Sequence, residues 1–156
     1  MPKKAHFIAG ILATLTIATF LISTVLVELC GSHETVATVK SLIVIPGLFI
    51  LIPAIAATGG SGLFLSKSRQ GGLVETKLKR MPFIAANGVF VLVPCAIFLD
   101  RWAAAGSFDK TFYLVQGVEL LAGVVNLTLM GLNMRDGMRM SGQFRSKSQD
   151  RRRYPE

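Results

Sequence analysis

The sequence predicts an all-α integral membrane protein, a bundle of four transmembrane helices. Hydrophobic residues make up 51% of the 156 residues and charged residues only 17%, which is too apolar for a soluble domain of this size. Asp, Glu, Lys and Arg are largely excluded from four blocks of about 20 residues, the length that a helix needs to cross a membrane. Stretches such as "SLIVIPGLFILIPAIAA" show no alternation of apolar and polar residues, so we do not predict a β-barrel.

The uncharged blocks give the positions of four predicted spans. The first is longer than the apolar core of a signal peptide and has no small-x-small cleavage site after it, so we expect it to be retained as a true span. The spans form one four-helix domain over residues 1–135, and residues 136–156 are predicted to be a basic cytoplasmic tail. The predicted spans are residues 6–29, 41–65, 81–99 and 111–134.

The basic residues predict the orientation of the chain. Two precede the first span, five lie in residues 67–80 and seven follow Met134, whereas the other two loops hold Lys40, Arg101 and Lys110. By the positive-inside rule, both termini are cytoplasmic in a bacterial-type inner membrane. We interpret the net charge of +8 as topology signals that contact anionic headgroups, and we predict no nucleic-acid partner.

The second predicted helix carries a surface for close packing. Pro46 and Pro53 are seven residues apart, which predicts two kinks on one side of this helix. Ala54, Thr58 and Gly62 follow at a spacing of four residues. Small residues in this pattern let two membrane helices approach closely, so we predict that these three lie in a helix interface.

The third and fourth predicted helices offer caps and a polar pair. Pro82 suits the first turn of the third helix, where the N–H groups have no partner in the helix. Ser107 or Asp109 is suited to cap the start of the fourth helix. Asn87 and Asn126 fall at comparable depth, and we expect them to pair between these two helices.

The fourth predicted helix contains a single charged residue, Glu119. Because an ionised carboxylate is costly in lipid, we expect Glu119 to be neutral and hydrogen-bonded. Its expected partners are hydroxyl groups of the first helix or polar groups of another subunit, since the sequence indicates no basic residue at that depth. Three roles stay open for it: structural hydrogen bonding, contact with a partner subunit, and binding of a proton or ion. Polar and small residues recur around it at steps of four and three, which predicts a stripe that faces another helix: Phe112, Gln116, Glu119, Gly123, Asn126, Met130 and Asn133.

Few residues suggest a cofactor or a catalytic site. His6 and His33 lie about 40 Å apart along a straight helix, so one haem cannot bind both. A haem on the cytoplasmic side would use His6 with a methionine. The methionines on that side are Met81, Met130, Met134, Met138 and Met140. The sequence contains no Ser-His-Asp set, no H-E-x-x-H motif and no Walker loop, so we predict no catalytic residues and no metal site.

Four short motifs resemble those of small four-helix membrane proteins. These are His6 at the start of the first helix, "IPG" at residues 45–47, "ATGG" at residues 57–60, and Lys77 with Leu78 before the third helix. Together they resemble the HemJ-type protoporphyrinogen oxidases and the CopD-like proteins. The resemblance implies haem b, with His6 and Lys77 at the positions associated with haem and activity. Asn87 stands where a further histidine would be expected.

The sequence therefore predicts a small inner-membrane protein whose first partner is the lipid bilayer. We predict a non-catalytic accessory or structural subunit, packed against other membrane subunits or a second copy of itself. The first alternative is a redox protein that binds haem b. The second is a small proton-linked carrier that uses Glu119.

Overall fold

The computed structural model describes residues 2–66 and 72–140, and every element within those residues is helical. Two of the elements are short π-helical segments that join the α-helices before and after them. In chain order the elements are α1 (Pro2–Cys30), α2 (His33–Leu42), a π-helical segment (Ile43–Leu48), α3 (Phe49–Ser66), α4 (Gly72–Asn87), a second π-helical segment (Gly88–Leu92), α5 (Val93–Ala104) and α6 (Lys110–Met140).

These elements form four stretches that are long and apolar enough to cross a membrane. The second stretch runs from α2 through the first π-helical segment into α3, and the third runs from α4 through the second π-helical segment into α5. The prediction of an all-helical chain with four apolar spans is confirmed for the described residues. The spans are Lys4–Cys30, His33–Gly62, Lys79–Ala104 and Lys110–Met138.

The second span begins earlier than predicted, at His33 instead of residue 41. Ser32 starts this helix because its hydroxyl accepts a hydrogen bond from the backbone N–H of Thr35. Glu34 adds a negative charge to the first turn, which is favourable at a helix N-terminus. Lys40, which the charge-free blocks assigned to a loop, therefore lies inside the span.

Two other boundaries differ from the prediction. Pro82 lies within α4, which starts ten residues earlier at Gly72, and not in the first turn of a helix. α6 continues to Met140, past the predicted end at residue 134, so the first part of the predicted tail is helical. The rest of the tail lies outside the described residues. Asp109 caps α6 as expected, because its Oδ1 accepts a hydrogen bond of 2.9 Å from the N–H of Phe112.

The second span bends at Pro46, one of the two predicted kinks. Ile45 has φ of −132° and ψ of 112°, which is outside the helical region. Proline causes this because it has no N–H to donate and because it disfavours the α conformation in the residue before it. Gly47 lies at the bend, where a Cβ would be only 2.5 Å from the ring of Phe20. α3 continues through Pro53.

The four spans alternate in direction and form a bundle with two ends. We call the end that holds residues 2, 66, 72 and 140 the termini end, and the end that holds the 31–32 and 105–109 connections the turn end. α1 packs against α3 and α6, and α6 also packs against α4 and α5. Near the turn end α2 packs against α5.

Apolar side chains fill the interior and also cover the outside. One buried cluster includes Ala13, Ile17, Leu51 and Ile84, and a second cluster at the turn end consists of Val36, Leu99, Ala103 and Phe112. Large apolar residues such as Leu15, Phe49 and Leu114 are exposed. Exposure of this kind around the whole bundle is typical of a surface that contacts lipid, because soluble monomers expose only small apolar patches.

Candidate functional site

A polar stripe on α6 faces the interior of the bundle along most of its length. Gln116, Asn126, Asn133 and Asp136 are all buried, and from the first to the last the stripe extends about 30 Å at 1.5 Å per residue. Gly123 belongs to the same face, where a Cβ would lie 3.2 Å from Leu21 of α1. The stripe therefore contacts the other helices of this chain.

Near the turn end, Lys40 forms an ion pair with Glu119. Its Nζ lies 2.5 Å from Glu119 Oε2, and the Lys40 side chain is fully buried. Gln116 donates a second hydrogen bond of 2.9 Å to the same oxygen. The expectation that no basic residue lies at the depth of Glu119, and that hydroxyls of the first helix are its partners, is therefore wrong. It failed because the second helix starts eight residues earlier and carries Lys40 into the bundle.

At mid-depth, Asn87 and Asn126 pair as expected. Asn87 Nδ2 lies 2.9 Å from Asn126 Oδ1 and 2.9 Å from the carbonyl of Ala122. Asn126 donates in turn toward the carbonyl of Ile84, 3.4 Å away. Both asparagines thus bond to a neighbouring helix. Asn126 is fully buried. Water does not reach its amide group, so the bonds to α4 satisfy that group instead.

At the termini end, a second ion pair joins α4 to α6. Arg80 Nη1 lies 2.8 Å from Asp136 Oδ2, and the Asp136 side chain is only 4% exposed. Arg135 Nε lies 3.6 Å from the other carboxylate oxygen of Asp136 but is largely exposed. The sequence reasoning missed this pair because it placed residue 136 in the tail. A three-residue step beyond Asn133 reaches Asp136, so a longer stripe would have included it.

The small residues of α3 lie against α1 of the same chain. Ala54 is buried in the larger apolar cluster. A Cβ on Gly10 of α1 would lie 3.7 Å from the Thr58 methyl group. Gly62 faces two side chains, since a Cβ there would overlap the end of Met81 and lie 3.1 Å from His6 Cε1. The spacing of four residues thus serves packing within the bundle.

His6 lies against α3 at the termini end. Its Nδ1 is 3.1 Å from the carbonyl of Thr58 and 3.0 Å from Ser61 Oγ. A carbonyl oxygen only accepts, so the contact with Thr58 is a hydrogen bond when Nδ1 carries the hydrogen. Met134 accepts a hydrogen bond from the Thr14 hydroxyl, with Sδ 3.4 Å from Oγ1.

An elongated, mostly apolar cleft of about 840 Å³ lies between the helices and is lined by all four spans. Its lining reaches from His6 and Met134 at the termini end to Thr24 and Glu119 in the turn half. This volume lies within the range of about 300–1,000 Å³ that is typical of small-molecule and cofactor sites. The cleft is therefore the candidate functional site.

Comparison of the chain with protein-family models, with curated proteins and with solved structures finds no match. The inference of function therefore depends on the cleft and on the groups that line it.

The termini end of the cleft carries side chains of the kinds that bind haem iron. A histidine that binds a metal usually has its other ring nitrogen hydrogen-bonded to a carbonyl or carboxylate, and His6 Nδ1 lies 3.1 Å from the carbonyl of Thr58. Met81, one of the methionines that the sequence placed on the same side as His6, lies beside this histidine over Gly62. Lys77 belongs to α4, but its side chain is outside the description. Among the described residues, no group of three or more His, Cys, Asp and Glu side chains is arranged to hold a metal ion directly.

Proposed function

We propose that the four spans cross a bacterial-type inner membrane with both termini in the cytoplasm. The distribution of basic residues supports this, with two before the first span, five in residues 67–80 and seven after Met134. Of the three basic residues assigned to the other side, Lys40 is buried in the bundle. Arg101 and Lys110 remain at the turn end, so the asymmetry is stronger than the sequence alone indicated.

Labelling of cysteines tests this orientation. Cys30 is exposed at the turn end, so a membrane-impermeant maleimide should label it from outside intact spheroplasts, and Cys30→Ser should abolish that signal. Phe64 is exposed near the termini end. In the Cys30→Ser background, Phe64→Cys should react only after the membrane is permeabilised. Labelling of Phe64→Cys in intact spheroplasts would reverse the proposed orientation.

We further propose that the protein binds haem b in the cleft. The observation that carries this proposal is the position of His6, which lines the termini end of the cleft with its Nδ1 3.1 Å from the carbonyl of Thr58. Met81 and Met134 also line this part of the cleft and would be the candidates to hold the iron together with His6. Haem b, when bound there, would supply one-electron redox chemistry.

The alternative proposal is an accessory or structural subunit of a larger membrane complex. The sequence supported it through the α6 stripe and the small residues Ala54, Thr58 and Gly62. In the fold these residues contact other helices of the same chain. The cleft therefore gives more specific support to a bound ligand than the surface gives to a partner subunit.

An absorption spectrum of gently extracted protein separates these proposals. The haem proposal expects a Soret band in the wild type, its loss in His6→Ala and its retention in His33→Ala, because His33 is exposed at the opposite end. Met81→Leu and Met134→Leu should identify the second ligand, since the variant that removes it will change the spectrum of the reduced form. A colourless wild type that copurifies in fixed stoichiometry with larger membrane proteins would reject haem binding and support the subunit proposal.

A further inference from the structure

Three polar side chains from two spans meet in the turn half of the bundle, and a fourth, from α1, lies within electrostatic reach of them. Lys40 and Gln116 both donate to Glu119, over 2.5 Å and 2.9 Å. Glu28, near the end of α1, is close enough to interact electrostatically with both Lys40 and Glu119. We call Glu28, Lys40, Gln116 and Glu119 the buried acid cluster. It differs from the pair at the termini end because it brings two acids to one cation.

The charges in this cluster do not balance when every group is ionised. Two carboxylates against one ammonium leave a net charge of −1 around the fully buried Lys40, and this excess charge is costly because both carboxylates are half-buried. The other titratable groups that face it do not supply a fixed positive charge. His33 of α2 is exposed and its ring stacks on Phe108, and Cys95 of α5 is a free thiol.

Two oxygen atoms in the cluster are buried without a hydrogen-bond partner among the described residues. They are Glu28 Oε1 and Gln116 Oε1. Gln116 is only 4% exposed, and its amide group is held against the cluster by the bond from Nε2 to Glu119. Both oxygens are acceptors as long as Glu28 is ionised. The cluster therefore lacks a donor as well as a positive charge.

We propose that the buried acid cluster is a proton-binding site in which Glu28 carries the proton and Glu119 stays ionised against Lys40. A proton that adds to the Glu28 carboxylate forms an O–H bond, makes the cluster neutral and turns one of the unpaired acceptors into a donor. Glu119 remains the anion because it already accepts bonds from Lys40 and Gln116. A metal cation fits less well, since the Lys40 ammonium would repel it.

Glu119 connects this site to the cleft. Of the four cluster residues, it is the one that lines the cleft, and its side chain is 12% exposed. The cleft therefore reaches the cluster at the Glu119 carboxylate. This arrangement gives the bundle a proton store next to its candidate ligand site, whatever molecule the cleft binds.

Infrared difference spectra test the proposal on the full chain in lipid nanodiscs. The difference between spectra recorded at mildly acidic and at alkaline pH should contain the C=O stretch of about one protonated, buried carboxylic acid per chain. Glu28→Gln should remove this band. The matched control is Glu34→Gln, which changes an exposed acid in the first turn of α2 and should leave the band intact. Lys40→Met should enlarge the band, because Glu119 loses its cation and takes up a second proton.

Other outcomes would overturn the assignment. A wild type without the band, a band that disappears in Glu119→Gln but persists in Glu28→Gln, or a change that follows the sodium concentration and not the pH would each contradict it. Glu28→Asp guards against a misfolded Glu28→Gln. It keeps a carboxyl group, so the band should persist at a shifted frequency, and its loss in this variant would also count against a proton held by residue 28.

Discussion

The buried ion pair between Lys40 and Glu119 predicts a large, specific loss of stability when Lys40 is replaced by methionine. The Lys40 side chain is fully buried and its Nζ lies 2.5 Å from the Glu119 carboxylate. Removal of one partner from a buried pair costs about 3–5 kcal/mol, because the other group must either stay charged without compensation or take up a proton at an unfavourable pH. Glu119 keeps the bond from Gln116 and some exposure. We therefore expect the lower end of that range, about 3 kcal/mol.

Thermal unfolding of the detergent-solubilised protein measures this effect. The single tryptophan, Trp102, lies half-buried in α5 beside Phe98 and reports on the turn half of the bundle. For a chain of this length, a cost of about 3 kcal/mol corresponds to a fall in Tm of roughly 6–12 °C. Lys110→Met is the matched control, because Lys110 is exposed at the start of α6 and should change the unfolding free energy by less than about 0.5 kcal/mol.

The double variant Lys40→Met with Glu119→Gln gives the sharper test. It removes both charges and leaves a neutral amide that still accepts a hydrogen bond from Gln116. We expect it to recover most of the lost stability, with a coupling energy of about 2 kcal/mol between the two positions. A cost below about 1 kcal/mol for Lys40→Met would refute the argument, because that is the value of an exposed ion pair. Additive costs in the double variant would refute it equally.

Three further predictions concern other contacts in the bundle, all measured by the same unfolding assay. Gly47→Ala should cost about 1–3 kcal/mol because its Cβ would overlap a phenylalanine ring of α1. Gly117→Ala, where a Cβ meets nothing within 4 Å, should be neutral or stabilising, and equal effects of the two variants would contradict this. Arg80→Leu should cost about 2–3 kcal/mol because it leaves a buried aspartate poorly compensated. Arg135→Leu, at a largely exposed position, should cost less than about 1 kcal/mol, and the reverse order would reject Arg80 as the main partner of Asp136. Asn126→Leu should cost about 1–3 kcal/mol because it leaves buried polar groups of α4 without their partner, and an unchanged Tm would exclude that role.

The number and type of helices could be predicted because composition and charge-free length determine them directly. The start of the second span, at the turn end, could not be predicted. A rule that ends each span at the first charged residue places every lysine outside the spans. Lys40 is an exception because it pairs with Glu119, which lies 79 residues further along the chain. A pairing at that separation leaves no local pattern. The stripe on α6 did predict that Glu119 faces protein, but it could not show which charge would meet it.

The spacing of small residues has a similar limit. Ala54, Thr58 and Gly62 indicate that some helix approaches closely, but nothing in the spacing names that helix. In the fold it is α1, which brings His6 against Thr58 and Met81 beside it. The sequence placed five methionines, Met81 and Met134 among them, on the same side as His6, because it could only compare depths along helices. The choice of methionine depends on which helices are neighbours.

The polar contacts of α6 explain how a bundle of similar apolar helices keeps one arrangement. An apolar helix surface packs almost equally well against lipid and against another apolar helix. Burial alone therefore does not determine which helices are neighbours, or at what height they pack. α6 bonds to the second span through Lys40, to the third through Asn87 and Arg80, and to α1 through Thr14. These contacts lie at different depths, so sliding any one helix by a turn would break at least one of them. A helix that holds its neighbours in register also holds the walls of the cleft, and this links the stability tests above to the proposed binding of a ligand there.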